Sequence, residues 1–134
     1  MEANEIRINN IIHQEATITL SRDRYDNATR DESNDADIIV TAENISEIVK
    51  NSANFSGIPL TEEWLLKLGL KKNYDGNYGG DFDFSIEPKS FDVIVSGAAG
   101  WENYERAIGK PLSYVHQLQN LYFALTGEEL TIKP

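Results

Sequence analysis

From residue 113 to residue 127 the chain reads S-Y-V-H-Q-L-Q-N-L-Y-F-A-L-T-G. No other stretch constrains the fold as much, because both of its ends and one of its faces carry helix signals. Pro111 presets φ just ahead of the segment, as suits a helix start. Ser113 is the expected N-cap, its hydroxyl accepting from a backbone N–H of the first turn. Gly127 follows the last apolar residue and suits a left-handed C′ position. At 100° per residue, Tyr114, Val115, Leu118, Leu121, Tyr122 and Leu125 fall on one face. This is the core-facing stripe of an amphipathic helix. Burying each such side chain contributes roughly 1.5–3 kcal/mol before entropy is counted.

The opposite face carries His116, Gln119, Asn120 and Phe123. A solvated face is ordinarily Lys, Glu or Arg. With His116 neutral, nothing between residues 113 and 127 is charged. An uncharged polar face with an aromatic in it implies packing on a sheet, a second subunit or a ligand. The plain alternative is that His116 and Asn120 hydrogen-bond a neighbouring loop while Phe123 packs on a sheet, since buried polar groups are usually satisfied structurally.

The rest of the chain is short for more than one domain, at 134 residues. It has no cysteine, so disulfides and thiolate metal sites are excluded. No apolar run approaches the roughly 20 residues of a membrane span, and the start, M-E-A-N-E-I-R-I, is unlike a signal peptide. The expectation is a cytoplasmic protein with no membrane partner. A net charge of −10 argues against a nucleic-acid partner, which needs a basic footprint.

Residues 6–12 read as one or two short strands with Asn9-Asn10 as a turn or bulge. Residues 16–20 alternate as a half-buried strand. Residues 21–37 have almost nothing to bury and are expected to be a mobile polar loop. Its arginines are the local cations for an anionic ligand. Residues 38–41 read as a strand, with Thr41 capping a short helix. Residues 54–60 should be extended, because Pro59 disfavours a helical Ile58. Thr61 caps a second helix with Glu62 and Glu63 in its first turn, and Gly69 closes it.

Residues 74–83 form a glycine-rich turn. Asp75, Asn77, Asp81 and Asp83 superficially resemble a calcium loop, but the spacing fails and Ile86 stands where the bidentate Glu belongs. Residues 81–87 alternate strictly and return through Pro88-Lys89-Ser90 as residues 91–96, the best hairpin in the chain. A break is expected at residues 97–100, then a strand at 101–106 and a short edge strand at 128–132. The fold class is a single α+β domain over residues 1–134. Its parts are a small curved or barrel-like antiparallel sheet, a short helix, a β-hairpin and the long C-terminal helix.

No nucleophile–base pair, metal-ligand cluster or phosphate loop declares itself, and no cofactor is expected. Two histidines, His13 and His116, are all the chain has for acid–base work near neutral pH. Ser96 lies in V-S-G-A-A-G, which is not a nucleophile elbow. The expectation is therefore a non-enzymatic protein.

Two stretches carry a resemblance. G-I-P-L-T-E-E-W-L-L at residues 57–66 and Y-V-H-Q-L-Q-N-L-Y-F-A-L-T-G-E-E-L at residues 114–130 resemble a family of small proteins. That family is encoded in Bacteroidetes genomes, their phages and mobile elements. The opening E-I-R-I-N-N is similar to the family's usual start, which ends in Gly-Asn. The resemblance implies a phage or mobile-element accessory protein acting in the host cytoplasm, and it brings no catalytic residues with it. Such a protein would sequester a small anionic ligand, for which a nucleotide-derived defence signal is the leading candidate. Trp101, Tyr104, Arg106, His116, Gln119 and Asn120 would supply its stacking faces, cation and amide donors. The alternative is a protein–protein module, a virion component or an acidic inhibitor of a host protein, with the second helix face as a homo-oligomer interface.

Overall fold

The computed structural model describes residues 5–133 except 16, 34, 81, 83, 100 and 101, and the backbone alone at 17–21, 29–33, 96–99 and 102–106. The chain separates into two compact units, Met1–Ile58 and Pro59–Pro134. Each is a mixture of helix and antiparallel strand, so the fold is α+β.

In the first unit, β1 (Ile11–Gln14) lies between β4 (Ala36–Ile39) and β5 (Phe55–Ser56). Ile12 faces Ile38 across the β1–β4 ladder and His13 faces Asp37. This sheet is open, with β4 and β5 at its edges, and does not close into the barrel-like form expected. Closure needs a paired strand at each edge, and these short strands pair on one side only. Ahead of β1 a turn forms as expected: Asn9 has φ 76°, and the Asn10 side chain accepts from the Arg7 N–H at 2.7 Å. Helix α1 (Ile45–Lys50) is entered through a reciprocal pair, in which Asn44 Oδ1 accepts from Thr41 N and Thr41 Oγ1 from Asn44 N. Ile12, Val40, Ile48 and Phe55 form the core of this unit, with Ile6, Ile38 and Ile45 packed against it.

Residues 21–37 are not the loop expected. Strand β2 (Thr17–Arg22) pairs with β3 (Ala28–Ser33) in a two-stranded hairpin, and β4 begins at Ala36. Polar chemistry shapes the turn between β2 and β3. The Asp23 carboxylate accepts from Tyr25 N, Asn27 N and Asn27 Nδ2. These bonds, those from Asn27 foremost, hold its pKa below the ordinary carboxylate value. Arg22 pairs with Asp26 at 2.8 Å.

The second unit is built on a five-stranded antiparallel sheet in the order β10-β9-β8-β7-β6. Its strands are β6 (Lys71–Lys72), β7 (Tyr78–Gly79), β8 (Phe84–Ile86), β9 (Val93–Ala99) and β10 (Glu102–Ile108). The expected hairpin is present: Phe84 faces Val95 and Ile86 faces Val93. The expected break after Ser96 is absent, because Gly97 and Ala98 stay in the ladder opposite Tyr104 and Asn103. Helix α2 (Glu62–Lys67) is capped by Thr61, whose hydroxyl accepts from Trp64 N at 3.2 Å. Tyr78 donates its hydroxyl to Glu62 at 2.8 Å, and that bond raises the phenol's pKa.

The β8–β9 turn rests on one carboxylate. Glu87 Oε2 accepts from Ser90 N, Ser90 Oγ and Lys89 N at 2.6, 2.7 and 3.0 Å. Bonds to the ionised form stabilise it, so the Glu87 pKa lies below its ordinary 4.5, with the Ser90 N–H as the main cause. A depressed folded-state pKa contributes stability that is present above the unfolded value and is lost as pH falls through the folded one. The expected result is a Glu87 carboxyl that titrates below 4.5 by carbon NMR. Glu87→Gln should also lose less stability on acidification through that range than the wild type. A titration midpoint at or above the ordinary value would contradict the turn geometry.

Helix α3 (Val115–Thr126) ends as expected at Gly127, φ 75°, whose N–H reaches Phe123 O at 2.8 Å. Its start is shifted by one residue. Tyr114, not Ser113, is the N-cap, with extended φ −132° and ψ 153°. The reason is tertiary: Pro59 and Tyr114 form an antiparallel bridge and Leu60 N donates to Ser113 O at 2.9 Å. Residues 113 and 114 are thereby held extended. Gln117 reaches back instead, its Oε1 accepting from Ser113 N and Tyr114 N. Residues 128–132 are not the expected edge strand. They run irregularly beside α3, with Leu130 buried.

Candidate functional site

The face that α3 buries differs from the stripe read from sequence. Val115, His116, Leu118 and Gln119 are at 0–1% exposure, whereas Leu125 is 55% and Tyr114 39% exposed. The buried arc is turned by roughly 80° from the apolar stripe, less than one residue step of 100°, and it takes in two of the polar side chains. Gln119 Nε2 donates to Leu130 O at 3.0 Å. The His116 ring stacks on Tyr114 at 5.6 Å and 11°. Packing of the C-terminal segment on this side of the helix draws Gln119 inward.

The six residues expected to bind a ligand are therefore distributed as follows. His116 and Gln119 are buried and present no surface, and Asn120 is half-buried. Tyr104 and Arg106 lie on β10, in register with Gly97 and Val95. Trp101 lies outside the described residues. The other histidine, His13, has Nδ1 3.0 Å from Asp37 Oδ1. No group of three or more His, Asp or Glu among the described residues could hold a metal ion. No helix among them is long and apolar enough to cross a membrane.

A different place in the second unit is concave. It is an open depression of about 420 Å³ lined by Asn73, Asp75, Gly79, Gly80, Phe82, Phe84, Ser85 and Ile94. The β6–β7 turn builds one side. Asn73 N donates to Asn77 O at 2.7 Å and Gly76 N to Asn73 O at 3.0 Å. Asp75 Oδ1 accepts from Asn77 N at 3.0 Å, an Asx turn that orients the carboxylate. Bare backbone at Gly79 and Gly80 lets neighbours come close. A Cβ at Gly79 would sit 3.0 Å from Asn73 Nδ2, and one at Gly80 2.8 Å from the Phe82 ring.

The other side is aromatic. Phe82 and Phe84 have centroids 4.5 Å apart at 40°. Tyr122 of α3 meets Phe82 edge-on at 5.3 Å and Phe84 at 6.4 Å. Edge contacts of this kind add about 0.5–1.5 kcal/mol beyond burial. The long helix thus backs this aromatic pair through Tyr122, a residue read only as core. The alternation of Phe82 and Phe84 beside Gly79-Gly80 was the sequence signal for this wall. It reads equally as a hairpin face, and nothing local distinguishes the two.

Comparison with known protein families, with characterised proteins and with solved structures returns no match.

Proposed function

We propose that the protein is a binding protein that holds a small organic ligand in this concavity and acts by sequestering it. One observation carries the reading: an aromatic wall, an amide, a hydroxyl, a carboxylate and the exposed backbone of Gly80 converge on about 420 Å³. Ligand sites are typically concave, with apolar walls and a few placed polar groups. Rings supply area at low entropic cost, and Asn73 and Ser85 supply orientation. The nucleotide signal suggested by the sequence could set its base on these rings. Its phosphates, however, would meet Asp75 in a chain of net charge −10.

Mass spectrometry of small molecules released on denaturing the purified full chain tests the proposal. A stoichiometric compound is expected from the wild type and a depleted one from Phe82→Leu. An empty wild type whose Asn73 and Ser85 amide resonances stay still in a small-molecule cell extract would retire the reading.

A second reading, a protein–protein module, is favoured by a separate observation. Leu125 is 55% exposed and Leu121 half-buried on a helix flank without charge. Patches of this kind mark interaction sites when they are contiguous and large. The oligomeric state in solution tests this reading.

A further inference from the structure

We infer that the concavity selects an organic cation: a protonated amine attached to a flat or apolar body. This rests on the binding reading above and narrows it to one ligand class.

Charge favours a cation. Asp75 is the charged side chain among the described lining residues, and it is a carboxylate. Its orientation is set by the Asn77 N–H bond to Oδ1. A positive group placed against it gains a charge-assisted hydrogen bond. The surrounding molecule carries −10, a field that concentrates cations and repels anions.

The aromatic wall points the same way. Phe82, half-buried, lines the concavity, and the buried Phe84 packs against it. A cation over a ring face is attracted by the ring's quadrupole, whereas an anion there is repelled. The Asn73 side-chain amide oxygen and the Ser85 hydroxyl are further acceptor types among the lining residues for the N–H groups of an ammonium. A neutral ring would use the stacking surface alone. A cationic amine uses the rings, the carboxylate and the field together.

A matched series separates the class from the site: tryptamine, its neutral alcohol analogue tryptophol, and the anion indole-3-acetate. All three carry the same ring. Each is titrated into the full-length protein, with dissociation constants read from amide shifts of Asn73, Asp75 and Ser85. The expected order of affinity is tryptamine, then tryptophol, then indole-3-acetate, with the preference for tryptamine falling as salt is raised. Asp75→Asn keeps an oxygen to accept from Asn77 N and so preserves the turn. It should narrow the tryptamine-to-tryptophol affinity ratio by about three- to fivefold, the scale of an exposed charge pair. Phe82→Leu should weaken both ligands. Equal or tighter binding of tryptophol or indole-3-acetate, still sensitive to Phe82→Leu, would overturn the cation and leave the site standing. No shift with any of the three would overturn both.

Discussion

Leu118→Ala is expected to cost about 2–5 kcal/mol of unfolding free energy. Leu118 has no exposed surface, and its helix neighbours Val115 and Gln119 have none either. A void left there is bounded by residues that are themselves packed, so relaxation recovers little of the loss. For a unit of this size each kcal/mol moves the midpoint by about 4–8 °C, so the drop in calorimetry should be at least about 8 °C. The informative control is Leu125→Ala. By sequence periodicity Leu118 and Leu125 share one stripe and should cost the same. At 55% exposure Leu125 has little burial to lose, and its truncation should stay within about 1 kcal/mol. Equal losses at the two positions would contradict the rotated packing of α3.

Gln119→Leu is expected to destabilise by about 1–3 kcal/mol although it exchanges a polar side chain for an apolar one of similar size. Placing an apolar side chain in a buried helix position usually helps. Here the replacement removes the donor to Leu130 O and leaves that carbonyl in a segment where Leu130 is 4% exposed. A buried acceptor deprived of its donor costs its desolvation. The effect should be local as well as global. Amide exchange should quicken over residues 128–133, which Gln119 ties to α3 and where Lys133 N also bonds Lys67 O at 2.8 Å. Neutral or improved stability, with exchange in that segment unchanged, would show that the Gln119 bond does not hold the C-terminal segment.

Both results turn on where sequence reasoning reaches its limit. The α2 helix was legible because its signals are local: a Thr61 cap, acids in the first turn, and a glycine beyond the end. The β8–β9 hairpin was legible because Phe82, Phe84 and Ile86 alternate over a strict period of two and Val93 and Val95 answer them. In the β2–β3 hairpin, β2 was legible from the alternation of residues 16–20, but β3 was not, because A-T-R-D-E-S has no apolar period and its order comes from the backbone ladder and the Asp23 turn. Burial patterns do not register strands of that kind. Gly97-Ala98-Ala99 looked like a break for a related reason: small residues have low strand propensity, and pairing with β10 overrides it.

The concavity was the least legible feature. Asn73 and Asp75 stand on a turn, Phe82 precedes β8, Ser85 lies within it, and Ile94 is on the next strand. They meet only because β6, β7, β8 and β9 pair in sequence order. The six residues read as a ligand set from α3 and its neighbourhood were grouped by helix face and chain proximity, and neither measures exposure.

By itself the sequence determined the elements whose causes are local. These are the two capped helices and the alternating hairpin, together with an acidic surface poor in cations and a chain with no thiol chemistry. Tertiary structure alone decided which face of α3 is inside, where that helix begins, and which side chains share a cavity. The physical reason is that caps, turns and alternation act over three or four residues and can be read there. Burial is a property of what lies opposite. For α3 the C-terminal segment drew Gln119 inward through Leu130, and the strand-like pairing of Pro59 with Tyr114 held the helix start back by one residue.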